Sequence, residues 1–175
     1  MISIIVPIYN EETTIRDFIY NLYCLYDIKK HEVIFVDGGS KDKTLDILEE
    51  LSYFGYSYHV SVKKGRANQM NFGAEISRGD ILWFIHADSV LQKDVIQKVI
   101  DCPTEVGCLK IKFYPNSFPM RVNSIVSNMR ASITNLAFGD QALFLSRQAF
   151  EKVGGYKDMP IMEDYRISED LSANG

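Results

Sequence analysis

Cysteine is scarce in this chain: Cys24, Cys102 and Cys108 are the only three among 175 residues. Their number is odd and no CxxC spacing occurs. That argues against a disulfide framework and a cysteine metal site, and the thiols read as reduced ones in a cytoplasmic protein. No apolar run approaches the ~18 residues of a membrane-spanning helix, which leaves peripheral contact as the one membrane association open. The opening MISIIVPI lacks a basic leader and a small-residue cleavage site, so it reads as a strand and not as a signal peptide. Neither sign of charge dominates: 19 basic and 23 acidic residues are interspersed, for a net charge of −4. Without a basic stripe, nucleic acid is not an expected partner. Phosphate-binding glycine fingerprints are missing too. Neither GxGxxG nor GxxxxGK[ST] follows the first strand, which argues against a dinucleotide dehydrogenase and a P-loop NTPase. A nucleotide bound here would be held by side chains.

What is present is a regular alternation. Ile2–Ile8, Glu32–Val36, Tyr56–Val62 and Ile81–His86 are short, nearly continuous apolar runs, as strands covered on both faces require. Between them Glu12–Tyr26, Lys43–Phe54 and Arg66–Ser77 carry apolar residues at helical spacing, with Asn10 expected to cap the first helix and Ser40 or Asp42 the second. The pattern predicts βαβ units and a mainly parallel sheet in one α/β domain. Later segments are looser. A helix is expected over Val90–Ile100, a strand over Val106–Tyr114, an amphipathic segment over Met120–Leu136 and a strand over Gln141–Leu145. Arg147–Val153 should form a helix closed by Gly154-Gly155, and Met162–Asn174 has helical spacing again.

Ligands of such sheets sit beyond the carboxyl ends of the strands. Four tips lie there, and each is polar: Pro7-Ile8-Tyr9-Asn10, Asp37-Gly38-Gly39-Ser40, Lys63-Lys64-Gly65-Arg66 and His86-Ala87-Asp88-Ser89. Asp37 suits an Asx turn or a carboxylate that accepts from a base or ribose. Tyr9 and Glu11 could stack on or bond the same ligand. Arg66 opens a helix, where a cation is disfavoured by the dipole unless an anion such as a phosphate is nearby. Asp88 is either a helix cap or the single carboxylate of a Mg²⁺ or Mn²⁺ that takes its other oxygens from a diphosphate and water. His86 is equally suited to ligation and to a supporting hydrogen bond. Glu163 and Asp164 stand together at a helix start, where one serves the dipole and the other is a candidate general base.

VPIYNEE, VDGGSKDKT, the aspartate after the fourth strand and the ED pair before a closing helix together resemble, in order, the motifs of the family 2 glycosyltransferases of the GT-A fold. KGRANQMNFGA, FIHADS, FGDQALFLS and VGGY…IMEDYRISEDL are similar to a bacterial and archaeal subgroup of that family. The resemblance implies a Rossmann-like three-layer α/β/α domain over residues 1–175, with a nucleotide-binding half to about residue 89 and an acceptor half beyond it. It implies an inverting glycosyltransferase, hexosyl-transferring in type, that uses a nucleoside-diphosphate sugar, a uridine diphosphate sugar in most such families, and an acceptor the motifs do not identify. Pro7, Tyr9, Glu11 and Asp37 would then hold the nucleoside, and Arg66, Asn68, Ala87 and Asp88 would approach the diphosphate. Asp88 would be the ligand of Mn²⁺ or Mg²⁺, matching the last aspartate of the family's DxD. Asp140, Gln141 and Glu163 would lie near the transferred sugar or acceptor, and Asp164 would be the catalytic base. The sequence departs from the family at His86, which replaces the first acid of DxD. Family members also continue past the ED helix, so Gly175 reads as a truncation of the domain. The competing expectation is a non-catalytic domain that binds nucleotide sugars. A nucleotidyltransferase would need a basic, glycine-rich loop that VPIYNEE does not supply.

Overall fold

The computed structural model describes residues 1–112, 118–134, 141–159 and 161–174. Its first half is the alternation expected: β1 (Ile2–Ile8), α1 (Ile15–Leu22), β2 (Glu32–Asp37), α2 (Thr44–Glu50), β3 (Ser57–Val60), α3 (Arg66–Ile76) and β4 (Ile81–Phe84). Then come α4 (Val95–Ile100), β5 (Val106–Gly107), α5 (Phe118–Thr134), β6 (Phe144–Ser146), α6 (Arg147–Val153) and α7 (Glu163–Asn174). One six-stranded sheet runs in the order β3-β2-β1-β4-β6-β5. The β1/β2, β1/β4 and β2/β3 pairs are parallel, and β6 joins β4 and β5 antiparallel. The fold is therefore α/β with a mostly parallel sheet, as the alternation required.

Alternating residues of the central strands feed two cores. Ile4, Val6, Ile8 and Trp83 pack with Phe18, Ile19 and Leu22 of α1, Leu48 of α2 and Ile96 of α4. Ile5, Leu82 and Phe84 pack on the other face with Met70 and Ala74 of α3, Phe150 of α6 and Ile167 and Leu171 of α7. This two-sided burial explains why β1 and β4 read as continuous apolar runs. Gly73 lets α3 lie directly on β1, since a Cβ there would come within 2.5 Å of Ile5 Cγ2.

Several boundaries differ from the sequence expectation. Asn10 caps no helix. It sits at φ 55, and its Oδ1 accepts from Lys41 N at 2.8 Å. The chain first makes a turn, with Thr14 N and Ile15 N both donating to Glu11 O, and α1 begins only at Ile15. Ser40 caps no helix either. Asp42 stands just before α2 and accepts from Thr44 N at 3.0 Å. The expected long helix from Val90 is confined to Val95–Ile100, and the strand from Val106 pairs only through Gly107, with residues 113–117 outside the described set. β6 starts at Phe144 and not Gln141, because Ala142 turns the chain at φ 48 before the sheet is joined. α6 follows the expectation fully. Ser146 Oγ accepts from Ala149 N at its start, and Gly154, at φ 74, closes it.

Candidate functional site

The first two strand tips are joined to each other before they meet any ligand. Asn10 N donates to Ser40 Oγ (2.9 Å), Glu11 N to Thr44 Oγ1 (2.7 Å) and Glu12 N to Asp42 Oδ2 (3.1 Å). Lys43 N returns a bond to Glu12 Oε2 at 3.1 Å. The polar residues of VPIYNEE and VDGGSKDKT thus satisfy the backbone groups of two loops that no ladder serves. Below them, buried Gln69 donates through Nε2 to Ile8 O and Val36 O, each at 2.7 Å, and ties the ends of β1 and β2 together. Gly38 leaves the space for that amide, because a Cβ there would lie 3.1 Å from it.

Above this framework is a cleft of about 1300 Å³. From the first tip it is lined by Pro7, Tyr9 and Glu11, and the Tyr9 ring is exposed. From the third tip come Lys64 and Arg66, and from the fourth His86, buried Ala87 and exposed Asp88. The opposite wall is the start of α7, where Glu163 and Asp164 are both buried yet line the cleft. Residues more than 150 positions apart in the chain therefore face one space.

Three expected site residues stand back from that space. Asp37 is fully buried, and its carboxylate accepts from Gly39 N (2.8 Å), Ser40 N (2.9 Å) and the Ser40 hydroxyl. It closes its own βα loop, and the neighbouring Gly38 lines the cleft in its place. Asn68 donates to Lys64 O at 2.9 Å and to Asp158 Oδ1 at 3.1 Å, joining the third tip to the loop before α7. Gln141 is buried, with Nε2 directed to Ser127 O at 3.5 Å, and it is Ser127 and Asn123 of α5 that reach the cleft. Asp140 lies outside the described residues.

The electrostatics of the site centre on a contact that sequence spacing did not reveal. Arg66 Nη1 lies 3.4 Å from Glu163 Oε1 and 3.7 Å from Asp164 Oδ2. Two adjacent carboxylates can be buried only with compensation, and the α7 N-terminus and this guanidinium supply it from two sides. The cation at the start of α3 is thus matched to acids brought in by another helix. Gln69, Asn123 and Asp158 were also missed. A glutamine inside RANQMN has no periodic signature, and α5 reaches the cleft only through tertiary packing.

The donor set suits a hard divalent cation only in part. Among the described residues no group of three or more His, Cys, Asp or Glu side chains could hold a metal ion. Asp88 offers carboxylate oxygens toward the cleft, so it fits an ion that draws its remaining oxygens from a bound diphosphate and water.

Comparison with known proteins matches this chain to the model described as Glycosyl transferase family 2 over residues 3–102. It is 26% identical to an uncharacterized glycosyltransferase of Haemophilus influenzae, with 94% of this chain and 60% of that protein aligned. It is 24% identical to a dolichyl N-acetyl-alpha-D-glucosaminyl phosphate 3-beta-D-2,3-diacetamido-2,3-dideoxy-beta-D-glucuronosyltransferase of Methanococcus voltae, over 85% of this chain and 49% of that one. Among solved structures, a mannosyltransferase from Pyrobaculum calidifontis in complex with GDP-Man and Mn²⁺ superposes with a TM-score of 0.79 and 22% identity. That match covers 99% of this chain and 52% of the other. S. aureus TarS in complex with UDP-GlcNAc gives a TM-score of 0.79 at 19% identity, over 99% and 53%. The fold is thus GT-A-like, and the chain spans roughly half to three-fifths of the length of these relatives. Among the described residues no helix is long and apolar enough to cross a membrane.

Proposed function

We propose that this chain, which belongs to glycosyl transferase family 2, transfers a sugar from a nucleoside-diphosphate sugar to an acceptor hydroxyl with inversion at the anomeric carbon. One observation carries the reading. A single cleft is shared by an exposed tyrosine, two cations, a free-standing strand-tip carboxylate and a buried carboxylate pair. In this reading the Tyr9 ring stacks on the nucleobase, and Pro7, Glu11 and the tip closed by Asp37 complete the nucleoside wall. Lys64 and Arg66 draw the diphosphate toward the third tip, with Asn68 fixing that loop and Ala87 bringing the fourth tip close to it. Asp88 would hold a divalent cation, Mn²⁺ or Mg²⁺, with His86 beside it. When bound, such an ion neutralises charge on the departing nucleoside diphosphate.

Asp164 accepts the proton of the acceptor hydroxyl as that oxygen attacks from the face opposite the leaving group. A single displacement of this kind inverts the configuration, as in hydrolases that use a carboxylate base. Glu163, Gln141 and Asp140 then belong to the sugar and acceptor side. A uridine diphosphate sugar is the favoured donor, in keeping with the UDP-GlcNAc bound by S. aureus TarS, and GDP-Man in the Pyrobaculum protein marks the alternative base. The expected setting is the cytoplasm, where nucleotide sugars are at hand.

The test is a thermal-shift panel of nucleoside diphosphates and their sugars with and without Mn²⁺, followed by transfer assays. A ligand at 100 times its Kd stabilises the native state by about 2.7 kcal/mol. UDP with Mn²⁺ is expected to raise the melting temperature of the wild type but not of Asp88→Asn. Asp164→Asn should keep that shift and lose transfer. Stabilisation by none of the nucleotides would refute the reading.

A further inference from the structure

Among the described residues, one buried side-chain polar atom has no hydrogen-bond partner: the hydroxyl of Tyr156. Buried polar groups are almost always paired, and phenylalanine would fill the same space without the penalty. The protein nevertheless fixes this phenol firmly. Its ring packs edge-on to Phe84, with centroids 5.0 Å apart and planes at 87°, and lies 6.0 Å from Phe150. Its backbone is gripped by one side chain, since Asn71 Nδ2 donates to Tyr156 O at 2.8 Å and Tyr156 N donates to Asn71 Oδ1 at 2.9 Å. Gly155, at φ 70, permits that grip, because a Cβ there would meet Asn71 Oδ1 at 2.7 Å. Two motif segments, VGGY and GRANQMN, therefore cooperate in setting a tyrosine that does not itself line the cleft.

The helix that packs beside this tyrosine, α7, carries the candidate base. Asp164, Ile167 and Leu171 recur at i, i+3 and i+7, on one face of α7, and all three are buried. Ile167 and Leu171 pack in the same apolar cluster as Tyr156. Burial pushes the Tyr156 phenol well above its ordinary range, and the charges of Asp164 and Glu163 push it further while Arg66 opposes them. A phenol shifted in this direction is a protonated donor at neutral pH. Arg66 compensates the carboxylates from the cleft side, at the N-terminus of α3, where the proposed diphosphate would also sit.

We propose that Tyr156 is a positioning residue for the base: its unpaired O–H, in the apolar cluster that takes in the α7 face carrying Asp164, is the hydrogen bond that Asp164 takes up when a bound diphosphate draws Arg66 away. This rests on the proposed role of Asp164. The orphaned hydroxyl is then explained as a partner reserved for the substrate-bound state, in which the carboxylate keeps both its charge and its orientation.

The test uses the whole chain labelled with ¹³Cζ-tyrosine, with the Tyr156 resonance identified from Tyr156→Phe. Saturation with UDP and Mn²⁺ should move that resonance in the wild type and leave it in place in Asp164→Ala. In transfer assays Tyr156→Phe should lower kcat by about tenfold, the scale of a lost contact to a general base, with KM for the sugar nucleotide unchanged. A resonance that stays fixed while the nucleotide demonstrably binds would overturn the proposal, and so would wild-type kcat in Tyr156→Phe. Full transfer activity in Asp164→Asn would overturn the base assignment beneath it.

Discussion

Replacing Arg66 with glutamine tests the electrostatic design of the site most directly. Its guanidinium lies 3.4 Å from Glu163 and 3.7 Å from Asp164, whose side chains are only 6% and 12% exposed, while that of Arg66 is 51% exposed. Two unit charges about 4 Å apart attract by about 4 kcal/mol at an effective dielectric constant near 20. Solvent around the half-exposed guanidinium screens much of this, leaving about 1–2 kcal/mol on Asp164, the proposed base. At 1.36 kcal/mol per pH unit, the acidic limb of the kcat/KM profile, which reports the nucleotide-free enzyme, should move up by about one unit. Below that limb the deficit of Arg66→Gln should be about tenfold larger than it is above it. Arg66→Lys, which keeps the charge but not the fork, should recover part of the shift. The assay is initial-rate transfer at sugar-nucleotide concentrations well below KM across the acidic range. A raised KM with an unmoved limb would refute the reasoning, since Arg66 would then serve the diphosphate alone.

Gln69→Leu should lower stability by about 1–3 kcal/mol, because it leaves Ile8 O and Val36 O without the amide that joins them. Urea unfolding measures this, and an unchanged midpoint would show that the two tips hold together without it. His31 Nδ1 accepts from Ile2 N at 3.2 Å, and burial lowers its pKa from 6.5, so the native state disfavours the imidazolium. Its contribution is complete above its unfolded value and is lost as pH falls through the lower native one. Melting temperature should therefore decline as pH drops below about 6.5, and the decline should be shallower in His31→Gln over that interval.

Much of the fold was legible because its signals are local. Burial on both faces makes β1 and β4 uniformly apolar, and α6 carries its own start at Ser146 and stop at Gly154. The misjudged points share a cause. Asn10 and Ser40 look like helix caps in isolation, yet each bonds the other's loop across about 30 residues of sequence. Of the candidate site, Pro7, Tyr9, Glu11, Arg66, Ala87, Asp88, Glu163 and Asp164 do line one cleft, while Asp37, Asn68 and Gln141 stand behind it.

The sequence by itself determined the α/β alternation, the four polar strand tips and the chemical character of each, because hydrophobic periodicity and turn chemistry act over a few residues. Tertiary structure alone decided which of those polar groups face a ligand and which are spent on holding the loops. It alone brought Glu163 and Asp164 to Arg66 and packed Tyr156 into one cluster with Ile167 and Leu171 of α7. The reason is that burial and charge compensation depend on the groups that surround a residue, and here those groups come from distant parts of the chain.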